Sequence, residues 1–236
     1  MNSCLHEPRG YELGDEILAR LKGAFSLGRG EFVALDVARR GDFFGVLVAT
    51  IISQNTNENN TLKAFASLEE RVGVECEKIR KAGLSELAEA IRPAGLQEQK
   101  AKAIKQVASL LYEKYGCDIG KLLSRGVEEV IRELKQIEGI GDKTIDVLLA
   151  NYGYPVLPID THVRRVSVRL GLARPGSYRA MQKSLHGFFR EEARLDAHLY
   201  LIKLGRTLCR AKNPLCDECP LSDLCCYYRT SRAPHS

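Results

Sequence analysis

Apolar residues recur every three or four positions along most of the chain, and no stretch alternates apolar and polar residues as a half-buried strand would. Residues 42–53 (DFFGVLVATIIS) are apolar on every side, which predicts a helix buried at the centre of the protein. The same period predicts further helices over these segments: 59–72, 85–92, 97–115, 127–136, 143–152, 163–170, 177–190 and 194–204. The pattern therefore predicts an all-α protein.

The spacing of the apolar residues also predicts which side of some helices turns inward. In 85–92, Ser85 is the expected N-cap and Pro93 ends the helix, with Leu87 and Ile91 turned inward. The expected inward residues elsewhere are Leu62, Phe65, Ala66 and Leu68 in 59–72, and Ala101, Ile104, Val107 and Leu111 in 97–115.

A tight turn, EGIG, joins helix 127–136 to the helix that follows Lys143, which predicts a helix–hairpin–helix. Gly139 and Gly141 in this turn leave backbone N–H groups of the second helix accessible to a phosphate oxygen. Asp160 follows in a Pro-bounded segment. We hypothesise that the turn holds a DNA backbone while Lys143 and Asp160 act on its sugar. The competing interpretation is a solvated lysine and an aspartate that only caps a helix.

Composition narrows the class of protein without identifying it. The hydrophobic and charged fractions, 44% and 28%, are those of a globular domain, and the net charge of +5 is only mildly basic. The longest apolar run, 43–52, is about half of the roughly 20 residues that a membrane-spanning helix needs. The first residues, MNSCLHEPRG, contain no apolar signal segment, so an intracellular protein is expected. Its eight cysteines are then not expected to form structural disulfides.

The last thirty residues have too few apolar side chains for a core and need another means of stabilisation. Four cysteines with the spacing C-x6-C-x2-C-x5-C supply one, since four thiolates can hold either a zinc ion or an iron–sulfur cluster. A single CxxC with unequal flanks fits a [4Fe–4S] cluster somewhat better than zinc. The four candidate ligands are Cys209, Cys216, Cys219 and Cys225, the last assigned on spacing although Cys226 adjoins it.

The remaining residues of interest in the tail are basic. Arg206, Arg210 and Lys212 lie in or beside the loop between the first two ligand cysteines. A loop that is fixed at both ends holds its charges at little extra entropy cost, which suits contacts with phosphate. Outside the tail, Cys4, Cys76 and Cys117 are isolated in the sequence and are expected to be buried apolar residues or surface thiols.

Three motifs occur in a fixed order: IEGIGDKT, then PIDTH, then the four cysteines. Together they resemble the endonuclease III branch of the helix–hairpin–helix DNA glycosylase superfamily, over about residues 35–228. The resemblance implies that Lys143 attacks the sugar C1′ and forms a Schiff base, and that Asp160 assists departure of the base. It also implies that the cysteines hold a [4Fe–4S] cluster.

The resemblance further implies that two side chains enter the DNA duplex when the damaged nucleotide leaves the base stack. These match Gln54, in ISQNT, and Leu96, in AGLQEQK, whose competing interpretations are a helix-terminal polar residue and a core leucine. The hairpin departs from the family pattern, because Glu138 stands in place of proline and Asp142 in place of a basic residue. Both changes bring negative charge close to the expected phosphate.

The fold implied by the resemblance has two lobes. One is a six-helix barrel over 35–154 with the helix–hairpin–helix at about 130–152. The other combines 1–34 with 155–236 and contains the cluster loop at 209–225. DNA and the active site are expected in the groove between them.

The implied function is base excision repair. We expect a bifunctional DNA glycosylase/AP lyase that removes oxidised pyrimidines from duplex DNA and nicks the strand 3′ to the site by β-elimination. The alternatives are a monofunctional glycosylase for uracil or thymine opposite guanine, and a non-catalytic DNA-binding protein with a metal cluster. The expected partner is double-stranded DNA with damaged bases or abasic sites. The protein is expected to be a monomer in the cytoplasm or nucleoid of a prokaryote, or in a nucleus.

Overall fold

A computed structural model describes residues 10–231, and over this range the protein has fourteen α-helices, four short 3-10 helices and no β-strand. The predicted all-α class is confirmed. None of the described helices is both long and apolar enough to cross a membrane. The α-helices are α1 Glu12–Ala24, α2 Val33–Ala38, α3 Phe43–Ile52, α4 Glu58–Arg71, α5 Cys76–Lys81, α6 Leu84–Ala90, α7 Gln97–Tyr115, α8 Ile119–Leu123, α9 Val127–Leu134, α10 Asp142–Tyr152, α11 Thr161–Leu170, α12 Tyr178–His186, α13 Arg194–Thr207 and α14 Cys226–Ser231.

The chain divides into two compact units. The first, which we call the helical unit, is Gly28–Tyr154; the second, the cluster unit, joins the segment up to Leu27 to the chain from Pro155 onward. The predicted bounds of the six-helix barrel, 35 and 154, stay a prediction.

The helical unit is built around α3. Every residue of α3 except the first is buried, and Asp42 caps the helix by accepting a hydrogen bond from the Gly45 N–H at 2.7 Å. Helices α2, α4, α7 and α10 all pack against it. The predicted central helix is therefore confirmed, and it forms the core on which the hairpin helix α10 rests.

Helix α7 has the predicted bounds and buries its four predicted inward residues, whereas two other predictions were wrong. Leu62 and Ala66 of α4 face solvent, because the buried stripe runs through Thr61, Ala64, Phe65 and Leu68 at the same helical spacing. Helix α6 is capped at Gly83 and not at Ser85. The Glu86 carboxylate accepts a hydrogen bond from the Gly83 N–H at 3.3 Å, which moves the helix start two residues earlier.

The expectation that Cys76 and Cys117 are isolated was also wrong. They form a disulfide with Cα atoms 5.6 Å apart, although 41 residues separate them in the sequence. Helices α5 and α7 pack together, and this brings the first residue of α5 beside the residue two places beyond the end of α7. Cys4 lies outside the described residues.

The cluster unit has a core of three helices, α1, α11 and α13. Leu13, Ile17 and Leu21 of α1 are buried there, together with Val163 and Val166 of α11. Between α13 and residue 231, where the described chain ends, there are only two 3-10 turns and the short helix α14. This part of the tail is therefore largely irregular, in keeping with its few apolar residues.

Candidate active site and cluster loop

The hairpin turn is closed by its own backbone. The Ile140 N–H donates to the Ile137 carbonyl at 3.1 Å, and Gly139 between them has a φ of +87°, which favours glycine. Ile137 and Ile140 are buried while both glycines are exposed, and a Cβ built on Gly141 would meet no atom within 4 Å. The start of α10 is therefore open to a ligand, as a phosphate contact requires.

Lys143 is the second residue of α10 and is half-buried. The two acidic residues that depart from the family pattern each form an ion pair within the same unit. Glu138 lies 3.3 Å from the Lys102 ammonium, and Asp142 lies 2.7 Å from that of Lys135. Their negative charge is thus partly compensated locally, in a way that the hairpin sequence does not indicate.

Gln54 follows the end of α3 and contacts the hairpin. Its Nε2 donates to the Gly139 carbonyl at 2.9 Å and to the Thr144 hydroxyl at 3.1 Å. The structure thus places Gln54 directly beside the turn that leads to Lys143.

Leu96 is not a core leucine. Its side chain is among the most exposed of the large hydrophobic residues, at 51%, and its backbone is left-handed with a φ of +51°. A non-glycine residue in this region stores strain, and such strain is found disproportionately at functional sites. Asn55, next to Gln54, has the same unusual backbone with a φ of +53°.

Asp160 is the N-cap of α11. One carboxylate oxygen, Oδ1, accepts a hydrogen bond from the Val163 N–H at 2.7 Å. Among the described residues, nothing donates a hydrogen bond to its other carboxylate oxygen. The cap fixes the orientation of the carboxylate and does not use its second oxygen.

The irregular segment before Asp160, residues 155–159, is held by side chains of α12 and α13. The Leu157 N–H donates to His186 Nε2 at 3.2 Å, and burial, aided by two nearby arginines, lowers the pKa of His186 to about 4, so it stays a neutral acceptor. The other contacts to backbone atoms of this segment come from Arg194 to Pro155, Gln182 to Leu157, His198 to Pro158 and Tyr178 to Ile159.

The four cysteines of the spacing motif all line one small cavity. Leucines form much of the remaining wall, and Cys226, although buried, is not part of the lining. No three His, Cys, Asp or Glu side chains of the described chain are arranged to hold a single metal ion. Sulfurs placed around a cavity suit a larger, multi-iron cluster.

Burial, together with the three other cysteines of the cavity, raises the pKa of the Cys219 thiol to about 11. Four adjacent thiolates therefore need a positive group between them, which iron supplies. Two arginines of α11 organise the same loop. Arg165 donates to the Cys209 carbonyl at 3.0 Å, and Arg169 donates to the Arg210 carbonyl at 2.6 Å.

The three basic residues predicted to contact phosphate, Arg206, Arg210 and Lys212, are all exposed. Arg210 also donates to the Thr207 carbonyl at 2.7 Å, which limits its motion. The roles of Arg165 and Arg169 were not predicted from the sequence. Their spacing of four residues on α11 was the available signal, since it places both on one helix face.

Known proteins that resemble this chain share its fold and its motifs. Residues 48–191 match the HhH-GPD superfamily of base excision DNA repair proteins, and residues 209–225 match the iron–sulfur binding domain of endonuclease III. Endonuclease III of Sulfolobus acidocaldarius is 34% identical over 92% of this chain and 97% of its own length.

Two solved structures are similar over nearly the whole chain. A non-covalent endonuclease III–DNA complex has a TM-score of 0.77 at 26% identity, covering 94% of this chain and 97% of the other. A trapped endonuclease III–DNA covalent intermediate, an estranged-adenine complex, has a TM-score of 0.73 at 28% identity, covering 93% and 95%.

The chain belongs to the HhH-GPD superfamily of base excision DNA repair proteins and, within it, to the endonuclease III family. It is a DNA-binding base excision repair glycosylase and AP lyase that carries a [4Fe–4S] cluster, as the sequence predicts.

Proposed function

We propose that this enzyme excises oxidised pyrimidines from duplex DNA through a Schiff base on Lys143. The observation that carries the proposal is a lysine at the open start of α10, in the hairpin of an endonuclease III chain. The reaction needs a primary amine, because only such a group both attacks C1′ and forms an imine. The helix start favours the neutral amine, since its positive end disfavours the ammonium.

The proposed chemistry proceeds in two stages. The Lys143 amine forms a bond to C1′, the bond from C1′ to the base breaks, and the base leaves with that electron pair and takes up a proton. Ring opening gives the imine, which acidifies C2′–H. Loss of that proton then expels the 3′ phosphate and cuts the strand.

Asp160 is proposed to stabilise the cationic sugar and to take a proton from the lysine. Its cap bond supports this role, because it holds the carboxylate in one orientation without using its second oxygen. The conservative test is Asp160→Asn, which keeps an oxygen acceptor for the cap and removes the charge.

The cluster ligands are proposed to be Cys209, Cys216, Cys219 and Cys225, on their shared cavity. The cluster would fix the loop that presents the basic residues and would take no part in the sugar chemistry. We propose further that the partner is duplex DNA with damaged bases or abasic sites, that the enzyme acts as a monomer, and that it works where cellular DNA lies.

Borohydride trapping on a duplex with one abasic site tests the nucleophile. Reduction of the imine should link native protein covalently to DNA, whereas Lys143→Ala should give no such product and Lys121→Ala, an exposed control, should behave like the native protein. If trapping persists in Lys143→Ala, the attacking amine belongs to another residue. Base release from a lesion duplex without any trapping would indicate a monofunctional glycosylase. A panel of duplexes with thymine glycol, dihydrouracil or mismatched uracil then tests the substrate.

A further inference from the structure

Lys100 is a buried cation that the chemistry described above does not use. It is the fourth residue of α7, and its exposed fraction is only 3%. A buried ammonium near the start of a helix is costly, because burial and the helix dipole both oppose the charge. Burial lowers the pKa of Lys100 to about 8.

Two hydrogen bonds compensate this cost. The Lys100 ammonium donates to the Ile52 carbonyl at 2.8 Å and to the Ala94 carbonyl at 2.9 Å. Ile52 is the last residue of α3, and Ala94 is the last residue of the 3-10 helix Arg92–Ala94. One side chain therefore joins the ends of two elements that are far apart in the sequence.

Both ends lead directly to a proposed DNA-inserting residue. Gln54 lies two residues beyond Ile52, and Leu96 lies two residues beyond Ala94. In both places the backbone turns through a left-handed non-glycine residue, Asn55 in the first and Leu96 itself in the second. Asparagine adopts this backbone readily, whereas at Leu96 it stores strain and persists only where neighbouring contacts fix it.

We propose that Lys100 is a positioning residue that sets the two DNA-inserting side chains, Gln54 and Leu96, at a fixed spacing. The inference rests on the insertion roles given to these two residues above. Lys100 does not touch DNA. It ties the two loops to α7. Because Gln54 also donates a hydrogen bond to the Gly139 carbonyl, the position of these loops relative to the hairpin turn before Lys143 is fixed as well.

The competing explanation is a lysine that only stabilises the fold. The two explanations differ in what the loss of Lys100 does to different DNA substrates. Opening a duplex requires inserted side chains, whereas a single-stranded abasic oligonucleotide has no stack to open and no orphan base to replace. A positioning role predicts a defect confined to duplex DNA.

The test compares Lys100→Met, which keeps the length of the side chain and removes its donors, with Lys100→Arg, which keeps donors. Single-turnover excision from a lesion duplex should fall roughly tenfold or more in Lys100→Met, the expected effect of losing hydrogen bonds from a charged donor. For the same variant, borohydride trapping on a single-stranded abasic oligonucleotide should stay within about twofold of the native protein. The exposed control Lys121→Met should stay within about twofold of the native protein in both assays. Lys100→Arg should recover part of the duplex activity. Equal losses on both substrates would overturn the proposal.

A double-mutant cycle separates this inference from the one on which it rests. If Lys100 acts through the inserted residues, Lys100→Met should add less than about twofold when Gln54→Ala and Leu96→Ala are already present. Full additivity would contradict the positioning role. If Gln54→Ala and Leu96→Ala leave duplex excision unchanged, the insertion roles themselves are wrong. If Lys100→Met folds poorly, Lys100→Gln replaces it in the same cycle, and the same outcomes decide for or against the positioning role.

Discussion

Lys143 and Asp160 both lie at the start of a helix, but the two regions that carry them are held by different means. The hairpin before Lys143 is closed by its own backbone bond and by two buried isoleucines. The segment before Asp160 has no regular structure, and side chains from α12 and α13 bind its backbone. The hairpin that carries Lys143 is thus closed locally, with one distant contact from Gln54, whereas residues far along the chain hold the segment that leads to Asp160.

The same contrast extends to the two units. The helical unit combines an apolar core around α3 with one disulfide. The tail of the cluster unit depends on thiols around a cavity and on arginines that bind loop carbonyls. Substitutions in each unit can show whether its stability depends on these features.

The largest effect is expected from loss of a cluster ligand. Cys219→Ser should abolish the visible absorption, bound iron and acid-labile sulfide. It should also lower the melting temperature more than loss of the disulfide does, because the tail has no core to replace the cluster. Cys226→Ser is the matched control, since this cysteine is buried but lies outside the cavity lining. If Cys226→Ser lost its iron and Cys225→Ser kept it, the fourth ligand would be Cys226 and not Cys225.

The disulfide should contribute the next largest effect, in the helical unit alone. Closing a loop between residues 41 apart is worth about 4 kcal/mol by the loss of unfolded-state entropy. Cys76→Ala with Cys117→Ala should therefore melt at lower temperature while its iron content and visible absorption stay unchanged. If both thiols of the native protein react with an alkylating reagent before reduction, the bond is absent under those conditions.

Support of the Asp160 segment should weaken in acid. The pKa of His186 is about 4 in the folded protein against an ordinary value of 6.5, so the unfolded chain binds the extra proton between these values. The contribution of neutral His186 to the free energy of unfolding is fully present above pH 6.5. It is lost as the pH falls toward 4, by at most about 1.4 kcal/mol per pH unit for one proton.

His186→Gln should reduce this pH dependence, because its amide cannot take up a proton. The measurement is the free energy of unfolding of both proteins by denaturant across that range. A variant that keeps the full native slope would show that another group causes the acid sensitivity.

The contrast also explains how far the sequence predicts the structure. Helices α3 and α7, the hairpin and the cysteine spacing follow from local patterns, and each can be read from adjacent residues. The Cys76–Cys117 bond, the two contacts of Lys100 and the support of 155–159 join residues far apart in the chain. No local period encodes such pairs. The buried face of α4 was misjudged because Thr61 and Ala64 supply half of it, while the more apolar Leu62 faces solvent.

The smallest effect is expected at the acidic residues of the hairpin. Glu138 and Asp142 pair with Lys102 and Lys135 at the surface, and exposed pairs of this kind contribute about 0–1 kcal/mol to stability. Glu138→Gln with Asp142→Asn should leave the melting temperature almost unchanged. It should tighten DNA binding a few-fold at low salt, because two negative charges leave the phosphate site and two lysines are released. The salt dependence of the affinity should become steeper, and Glu69→Gln, a change at another exposed ion pair, is the matched control. If affinity and salt dependence do not change, the hairpin does not approach a phosphate at these two positions, and the basic residues of the cluster loop supply that contact instead.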